Sequence, residues 1–76
     1  MLSMRILGID PGIQITGYCV LDADRDGYNI ITSGSVQTSK NDSTPKRLLE
    51  IFHDIKTICK EYKPNKKVLL STGLFD

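Results

Sequence analysis

The sequence predicts an α/β fold in which three antiparallel strands and one helix are followed by a short fourth strand parallel to the first. Short apolar runs bounded by turn residues indicate strands up to residue 36, a helical spacing of three and four follows over residues 45–62, and a short apolar run lies at residues 68–70. A helix that crosses between strands of one sheet packs well when those strands are parallel. Because 76 residues provide one small domain with a single helix, only one face of the sheet is expected to be covered.

The first strand is predicted over Met4 to Ile9, and it ends at a carboxylate. Its apolar side chains fall on both faces, which is typical of a central strand. Asp10 follows directly, and Pro11 and Gly12 form a turn. A carboxylate at the end of a buried strand is a common part of a metal or phosphate site, so Asp10 is a candidate residue of such a site. Asp-Pro-Gly also occurs as a turn with no further role, which is a purely structural alternative.

The second and third strands are predicted over Thr16 to Leu21 and Tyr28 to Val36, joined by a polar hairpin. The connection from Asp22 to Gly27 ends in Asp-Gly, a pair typical of tight hairpin turns. The same segment matches the opening of an EF-hand calcium loop. That loop needs a bidentate Glu at its twelfth position, which is Ser33 here, and helices on both sides. We therefore expect a hairpin.

The helix is predicted to begin with Thr44 as its N-cap and Pro45 as its first residue, after a Ser- and Thr-rich loop. It ends before Pro64, and the fourth strand follows. His53 is expected to be a solvated helix residue and not a ligand. The apolar residues of the helix form one stripe that should face the sheet, namely Leu48, Ile51, Phe52, Ile55, Ile58, Cys59 and Tyr62.

Cys19 and Cys59 are the only cysteines, and both lie among apolar neighbours. They could form a disulfide in a secreted protein. The first three residues have neither the basic nor the long apolar region of a signal peptide, so we expect reduced thiols in the core of a cytoplasmic protein. No apolar run approaches the ~18 residues of a membrane-spanning helix, so no membrane is expected as a partner.

The charges are unevenly distributed along the chain. Residues 1–44 have three basic and five acidic side chains, whereas residues 45–76 have seven basic and four acidic ones. The basic half could lie beside nucleic-acid phosphates. It could equally be an ordinary solvated helix face.

Residues 6–12, Ile-Leu-Gly-Ile-Asp-Pro-Gly, are followed by Thr-Gly-Tyr-Cys-Val at residues 16–20. Together they resemble the amino terminus of the RuvC family of bacterial Holliday junction resolvases. Residues 34–38 are similar to the end of the third strand of that family, and Pro45 to Pro64 to its first helix. We therefore interpret residues 1–76 as a partial RuvC domain. The resemblance itself covers about residues 4–67. It implies a ribonuclease H-like fold, which agrees with the strand order predicted above.

The resemblance implies a magnesium-dependent endonuclease of DNA recombination and repair, which nicks four-way junction DNA. The family acts as a homodimer with the RuvA–RuvB branch-migration complex. Asp10 matches the first of four acidic metal ligands in the family. Several carboxylates are needed because two divalent ions about 3.5–4 Å apart must be bridged and flanked.

The tail, residues 68–76, departs from the family pattern. The second acid should fall near Leu70, yet the chain has no carboxylate from Val68 until Asp76. The family's junction-contacting aromatic has no match, since Phe75 lies in unrelated sequence, and the dimer helix, DNA-contacting lysines and last two acids would lie beyond residue 76. We therefore expect an inactive amino-terminal fragment that binds magnesium weakly or not at all. A frameshift near residues 66–67 would explain the departure.

A second interpretation treats residues 4–21 as the phosphate-binding hairpin of the actin-like and sugar-kinase ATPases. Those proteins also place an Asp, followed shortly by Gly, after the first strand. The small hydroxyl side chains that usually follow that Gly are absent at residues 13–15. The alternative function is thus a phosphate-binding fragment of that class.

Overall fold

A computed structural model describes residues 3–12 and 15–70. In chain order its elements are β1 (Met4–Asp10), β2 (Ile15–Asp24), β3 (Gly27–Gln37), α1 (Thr44–Tyr62) and β4 (Lys66–Leu69). The sheet order is β3-β2-β1-β4, with β2 antiparallel to β1 and β3, and β4 parallel to β1. The predicted fold class, the element order and the central position of β1 are confirmed.

The β2–β3 hairpin is longer than the sequence indicates. The strands stay paired as far as Asp24 opposite Gly27, so the turn consists of only Arg25 and Asp26. Gly27 has a φ of 148°, a region that favours glycine. The Asp24 carboxylate accepts a hydrogen bond from the Asp26 N–H at 2.8 Å, which closes the turn. The predicted hairpin is confirmed, because strands flank this segment where an EF-hand requires helices.

The buried core lies on one face of the sheet, beneath α1. Leu7 and Val20 face each other across the β1–β2 pair and are 0% exposed, and Val36 on β3 is 6% exposed. The guanidinium of Arg5 locates the helix on this face, because its Nη1 donates to the Tyr62 carbonyl at the end of α1. Arg5 and Leu7 point the same way, since side chains alternate along a strand. Apolar burial therefore stabilises a two-layer fold of one sheet and one helix.

The caps of α1 differ from the predicted start of the helix. Ser43, and not Thr44, is the N-cap, because its hydroxyl accepts a hydrogen bond from the Lys46 N–H. Thr44 is consequently the first helical residue. At the other end, Lys63 adopts a left-handed conformation with a φ of 50°, and its N–H donates to the Cys59 carbonyl at 2.8 Å.

The apolar stripe of α1 is only partly buried, so the prediction that all of it faces the sheet is wrong. Leu48 and Phe52 are 62% and 57% exposed, whereas Ile51, Ile55 and Ile58 are half-buried. The two exposed residues are one turn apart on a flank of the stripe, where a single layer of sheet does not reach. Across the described residues, no helix has the length and hydropathy needed to cross a membrane.

The two cysteines are free and half-buried. Cys19 lies on the face of β2 opposite to Val20, away from the helix, whereas Cys59 belongs to α1. The sheet separates the two thiols. The prediction of core positions is corrected to half-buried ones: Cys19 lies on the face of the sheet that α1 does not cover, and Cys59 belongs to a helix with no fully buried residue.

An arginine joins β1, β2 and the end of α1, an arrangement we call the Arg5 clasp. Its Nε and Nη2 donate to the two carboxylate oxygens of Asp22 at 2.8 and 2.9 Å, in addition to the bond to the Tyr62 carbonyl. The Asn65 side-chain oxygen accepts a hydrogen bond from the Arg5 backbone N–H at 2.7 Å, and the Asn65 backbone N–H donates to the Arg5 carbonyl at 2.7 Å. Hydrogen bonding from the guanidinium, helped by its charge, lowers the pKa of Asp22 from its ordinary value.

Asp22→Asn is expected to make the free energy of unfolding fall less steeply as the pH is lowered into the acid range. Because folding lowers the pKa of Asp22 below 3.8, its contribution is complete above that pH and is lost as the pH falls through the folded pKa. The effect should be modest, since both side chains of the pair are 34% exposed. Urea midpoints measured from about pH 5 to pH 2 test this. Asp54→Asn, at an exposed helix carboxylate, is the control, and its urea midpoint should change with pH as steeply as that of the wild type. If the midpoint of Asp22→Asn also changes as steeply as that of the wild type, the prediction is wrong.

Candidate functional site

Within residues 3–12 and 15–70, no element covers the face of the sheet opposite α1, and this face is largely apolar. It holds a shallow groove of about 430 Å³. Tyr18 and Gly34 line part of the groove, and the remaining lining residues, which we call the open face, are Ile6, Gly8, Asp10, Gly17, Cys19, Leu21, Val68 and Leu70. Val68 and Leu70 are about half exposed. Over the part of the chain that the structure describes, the prediction that one face of the sheet stays uncovered is confirmed.

Asp10 is the acidic member of the open face, and it is exposed. It ends β1 opposite Gly17, and a Cβ atom at Gly17 would lie 3.8 Å from the Asp10 Cβ. This is an ordinary van der Waals distance, so a side chain at this position would pack against Asp10. The turn after Asp10 requires glycine, because a Cβ atom at Gly12 would collide with the Ile15 carbonyl oxygen. Within the described residues, the Asp10 side chain makes no hydrogen bond or ion pair.

The end of β4 brings Leu70 next to Asp10. The parallel register pairs Ile9 with Leu69, and the Leu70 N–H donates to the Ile9 carbonyl at 2.7 Å. Leu70 therefore lies at the same edge of the sheet as Asp10, and both line the open face. A hydrocarbon side chain occupies the position where the family resemblance expects a second acid. Phe75 and Asp76 lie outside the described residues.

The residues at this edge of the sheet provide one side-chain ligand for a metal ion, the carboxylate of Asp10. Over residues 3–12 and 15–70, no group of three or more His, Cys, Asp or Glu side chains is placed to hold a metal ion. Asp10 offers hard oxygen donors, which suit Mg²⁺. Its neighbours Gly17 and Leu70 offer no side-chain donor. The arrangement can contribute to a metal site but does not complete one.

Sequence reasoning identified Asp10 but did not place Gly17 opposite it. The signal was present in the Thr-Gly-Tyr motif at residues 16–18, yet only the strand register reveals which residue faces Asp10. Sequence reasoning also missed the pairing of Asp22 with Arg5, because Asp22 was assigned to the hairpin connection. In the structure Asp22 belongs to β2, and its carboxylate is engaged by the Arg5 clasp.

Comparison with protein families identifies the origin of this site. The sequence model of the family described as Crossover junction endodeoxyribonuclease RuvC matches residues 6–71. The chain belongs to the RuvC family. The match includes both Asp10 and Leu70, so the edge of the sheet described above lies within the family region.

Individual RuvC proteins are similar to this chain over most of its length. The Crossover junction endodeoxyribonuclease RuvC of Fusobacterium nucleatum is 48% identical over 61 residues, which is 80% of this chain and 32% of the relative. The corresponding protein of Synechocystis is 44% identical over 63 residues, 82% of this chain and 38% of the relative. The chain thus spans about a third of the length of these RuvC relatives.

The fold is that of RuvC, which is ribonuclease H-like. Thermus thermophilus RuvC superposes with a TM-score of 0.78 at 23% identity, covering 87% of this chain and 44% of that one. The same protein in complex with a Holliday junction substrate superposes with a TM-score of 0.75, covering 87% and 41%. An Aquifex aeolicus PPX-GPPA enzyme is also similar, with a TM-score of 0.68 at 18% identity over 90% of this chain and 26% of that one. The fold is shared more widely than the family, so sequence similarity to RuvC favours that family over the ATPase alternative.

Proposed function

We propose that this chain provides the amino-terminal part of a RuvC-type Holliday junction resolvase, with Asp10 as a catalytic metal ligand. The observation that carries this proposal is the placement of Asp10. It stands in the family motif, at the carboxyl end of the central strand, and is exposed on the open face. Family membership supports an endonuclease role in DNA recombination and repair.

We propose magnesium as the cofactor. Mg²⁺ is usually held by one or two carboxylates together with waters and substrate phosphates. A pair of such ions supplies an activated water and stabilises the leaving oxygen of a phosphodiester. Asp10 would hold the metal through its exposed carboxylate. Because Leu70 adds no second carboxylate at this edge, the chain alone should bind magnesium weakly and should not cleave DNA.

We propose four-way junction DNA as the substrate, on the support of the Thermus RuvC structure that contains a Holliday junction. The resemblance also implies a homodimer and a complex with RuvA–RuvB. We propose these assemblies for the full-length family protein. A cytoplasmic location and a single partial RuvC domain over residues 1–76 belong to the same proposal.

The purified 76-residue chain is expected to leave a synthetic four-way junction intact in the presence of magnesium. The physical reason is that one carboxylate cannot position two metal ions. The measurement is gel analysis of end-labelled junction strands, with Fusobacterium nucleatum RuvC as the active control. Junction-specific nicking that disappears in Asp10→Asn would disprove inactivity while supporting the catalytic role of Asp10.

A magnesium titration followed by amide NMR tests the ligand role separately from cleavage. The signals of Asp10 and its neighbour Gly17 should shift with a millimolar midpoint, and Asp10→Asn should abolish the shifts. The same spectra with ATP test the phosphate-binding alternative. ATP-induced shifts around residues 10–17, without any response to junction DNA or magnesium, would favour that alternative over the RuvC role.

A further inference from the structure

We propose that Asn65 is a positioning residue, which sets the register of β4 on β1 and so determines which residue lies beside Asp10 at the far end of the pair. The strand itself specifies this register only weakly. β4 has four residues, Lys66–Leu69, and all of them are exposed. Because a strand is held in register mainly where one of its faces is buried, a specific contact is needed to align β4.

Asn65 makes two hydrogen bonds to the backbone of Arg5, just before β4 begins. Its Oδ1 accepts from the Arg5 N–H at 2.7 Å, and its backbone N–H donates to the Arg5 carbonyl at 2.7 Å. In a regular parallel ladder the Arg5 N–H would donate to a backbone carbonyl two residues earlier than Asn65. That residue is Lys63, the left-handed C-cap of α1. The amide oxygen of Asn65 thus supplies the acceptor that the strand would supply if it began earlier.

Neither neighbour of Asn65 can form the same pair of bonds in a shifted register. Pro64 has no backbone N–H, so it cannot donate to the Arg5 carbonyl. Lys66 has a backbone N–H, but its ammonium group is a donor and offers no acceptor to the Arg5 N–H. Only the observed register therefore satisfies both backbone groups of Arg5 from a single residue of this segment.

Arg5 is itself held in place, which makes it a suitable reference point for the register. Its guanidinium donates to both carboxylate oxygens of Asp22 on β2 and to the Tyr62 carbonyl at the end of α1. Tyr62 and Asn65 are therefore attached to the same residue of β1, with only residues 63 and 64 between them. A shift of β4 by one residue, about 3.3 Å, would have to stretch or compress this short connection.

The register set at Asn65 fixes what stands beside Asp10. Arg5 precedes Asp10 by five residues, and Asn65 precedes Leu70 by five. The Leu70 N–H donates to the Ile9 carbonyl at 2.7 Å, so the alignment is kept to the end of the pair. A shift by one residue would turn every side chain of β4 to the opposite face and remove residue 70 from the open face. The consequence for metal binding rests on the proposed role of Asp10.

Amide hydrogen exchange and nuclear Overhauser contacts of the 76-residue chain test this proposal. Asn65→Ala removes the side-chain acceptor, and we expect the Leu70 amide to exchange about fivefold faster relative to the amides of the β2–β3 pair. The contacts between the Leu70 amide and Ile9 should weaken in the same variant. Asn65→Asp keeps an acceptor oxygen and should preserve both signals. Lys66→Ala, at the adjacent exposed side chain, is the matched control and should also preserve them.

Three results would overturn the proposal. The first is unchanged exchange and unchanged contacts of the Leu70 amide in Asn65→Ala. The second is an equal effect of Asn65→Asp or Lys66→Ala, because neither substitution removes the acceptor. The third is equal acceleration of the β2–β3 amides in Asn65→Ala, since Asn65 would then stabilise the whole domain without selecting the register.

Magnesium titrations in a Leu70→Glu background separate this proposal from the proposed role of Asp10. If Leu70→Glu raises the affinity for magnesium, adding Asn65→Ala should remove most of the gain, whereas adding Asn65→Asp should keep it. A gain that survives Asn65→Ala in full would overturn the positioning role. If Leu70→Glu gives no gain, the ligand role of Asp10 is wrong, while the exchange and contact measurements still test Asn65.

Discussion

Leu7→Ala is expected to lower the melting temperature by about 10 °C or more. Leu7 is fully buried on the central strand, opposite the equally buried Val20. Truncating a buried leucine to alanine removes about 2–5 kcal/mol of folding free energy through lost burial and the cavity left behind. A domain of 76 residues has a total stability of about 4–11 kcal/mol. The substitution therefore removes a large fraction of what holds this two-layer fold together.

The matched control for this prediction is Leu49→Ala, at a leucine of α1 that is more than half exposed. It should change the free energy of unfolding by no more than about 0.5 kcal/mol, because little apolar surface is buried there. The measurement is thermal unfolding by circular dichroism at a fixed low protein concentration, which keeps association out of the comparison. Equal losses at Leu7 and Leu49 would mean that the core is not the face beneath α1.

The arrangement of the strands was predictable because each deciding feature is local in the sequence. β1 is apolar on both faces, which marks a central strand, and the helical segment between β3 and β4 requires a parallel return. The same reasoning predicted the uncovered face, since one helix cannot cover two sides of a sheet. The candidate ligand Asp10 was found because it directly follows a buried strand.

The contacts that sequence reasoning missed depend on register and on distance along the chain. Arg5 and Asp22 are 17 residues apart, and they meet only because the β1–β2 pairing continues to that level. Asp22 was expected in the loop, but β2 extends past it, and its carboxylate therefore lies beside Arg5 and forms an ion pair. The burial of the α1 stripe was overestimated at Leu48 and Phe52 for a related reason, since periodicity identifies an apolar face but not the width of the surface it meets.

Leu70→Glu is expected to raise the affinity for magnesium by about tenfold. The backbone bond from Leu70 to Ile9 places a side chain at this position at the same edge of the sheet as Asp10. A second carboxylate about 4 Å from a divalent ion in water gains roughly 2 kcal/mol, and repulsion between the two carboxylates offsets part of this. The net gain of about 1.4 kcal/mol corresponds to that factor of ten. Stability should change little, since Leu70 is half exposed.

A double-mutant cycle determines whether the gain arises from a shared site. Magnesium titrations of wild type, Asp10→Asn, Leu70→Glu and the double variant should show strong coupling, with the gain lost when Asp10 is replaced. Leu69→Glu carries the same added charge on the opposite face and should show no gain. A similar gain at Leu69, or one that survives Asp10→Asn, would mean that the added charge attracts magnesium without a site. Even the coupled variant should not cleave junction DNA, because two carboxylates hold one ion whereas in-line hydrolysis by this chemistry uses two.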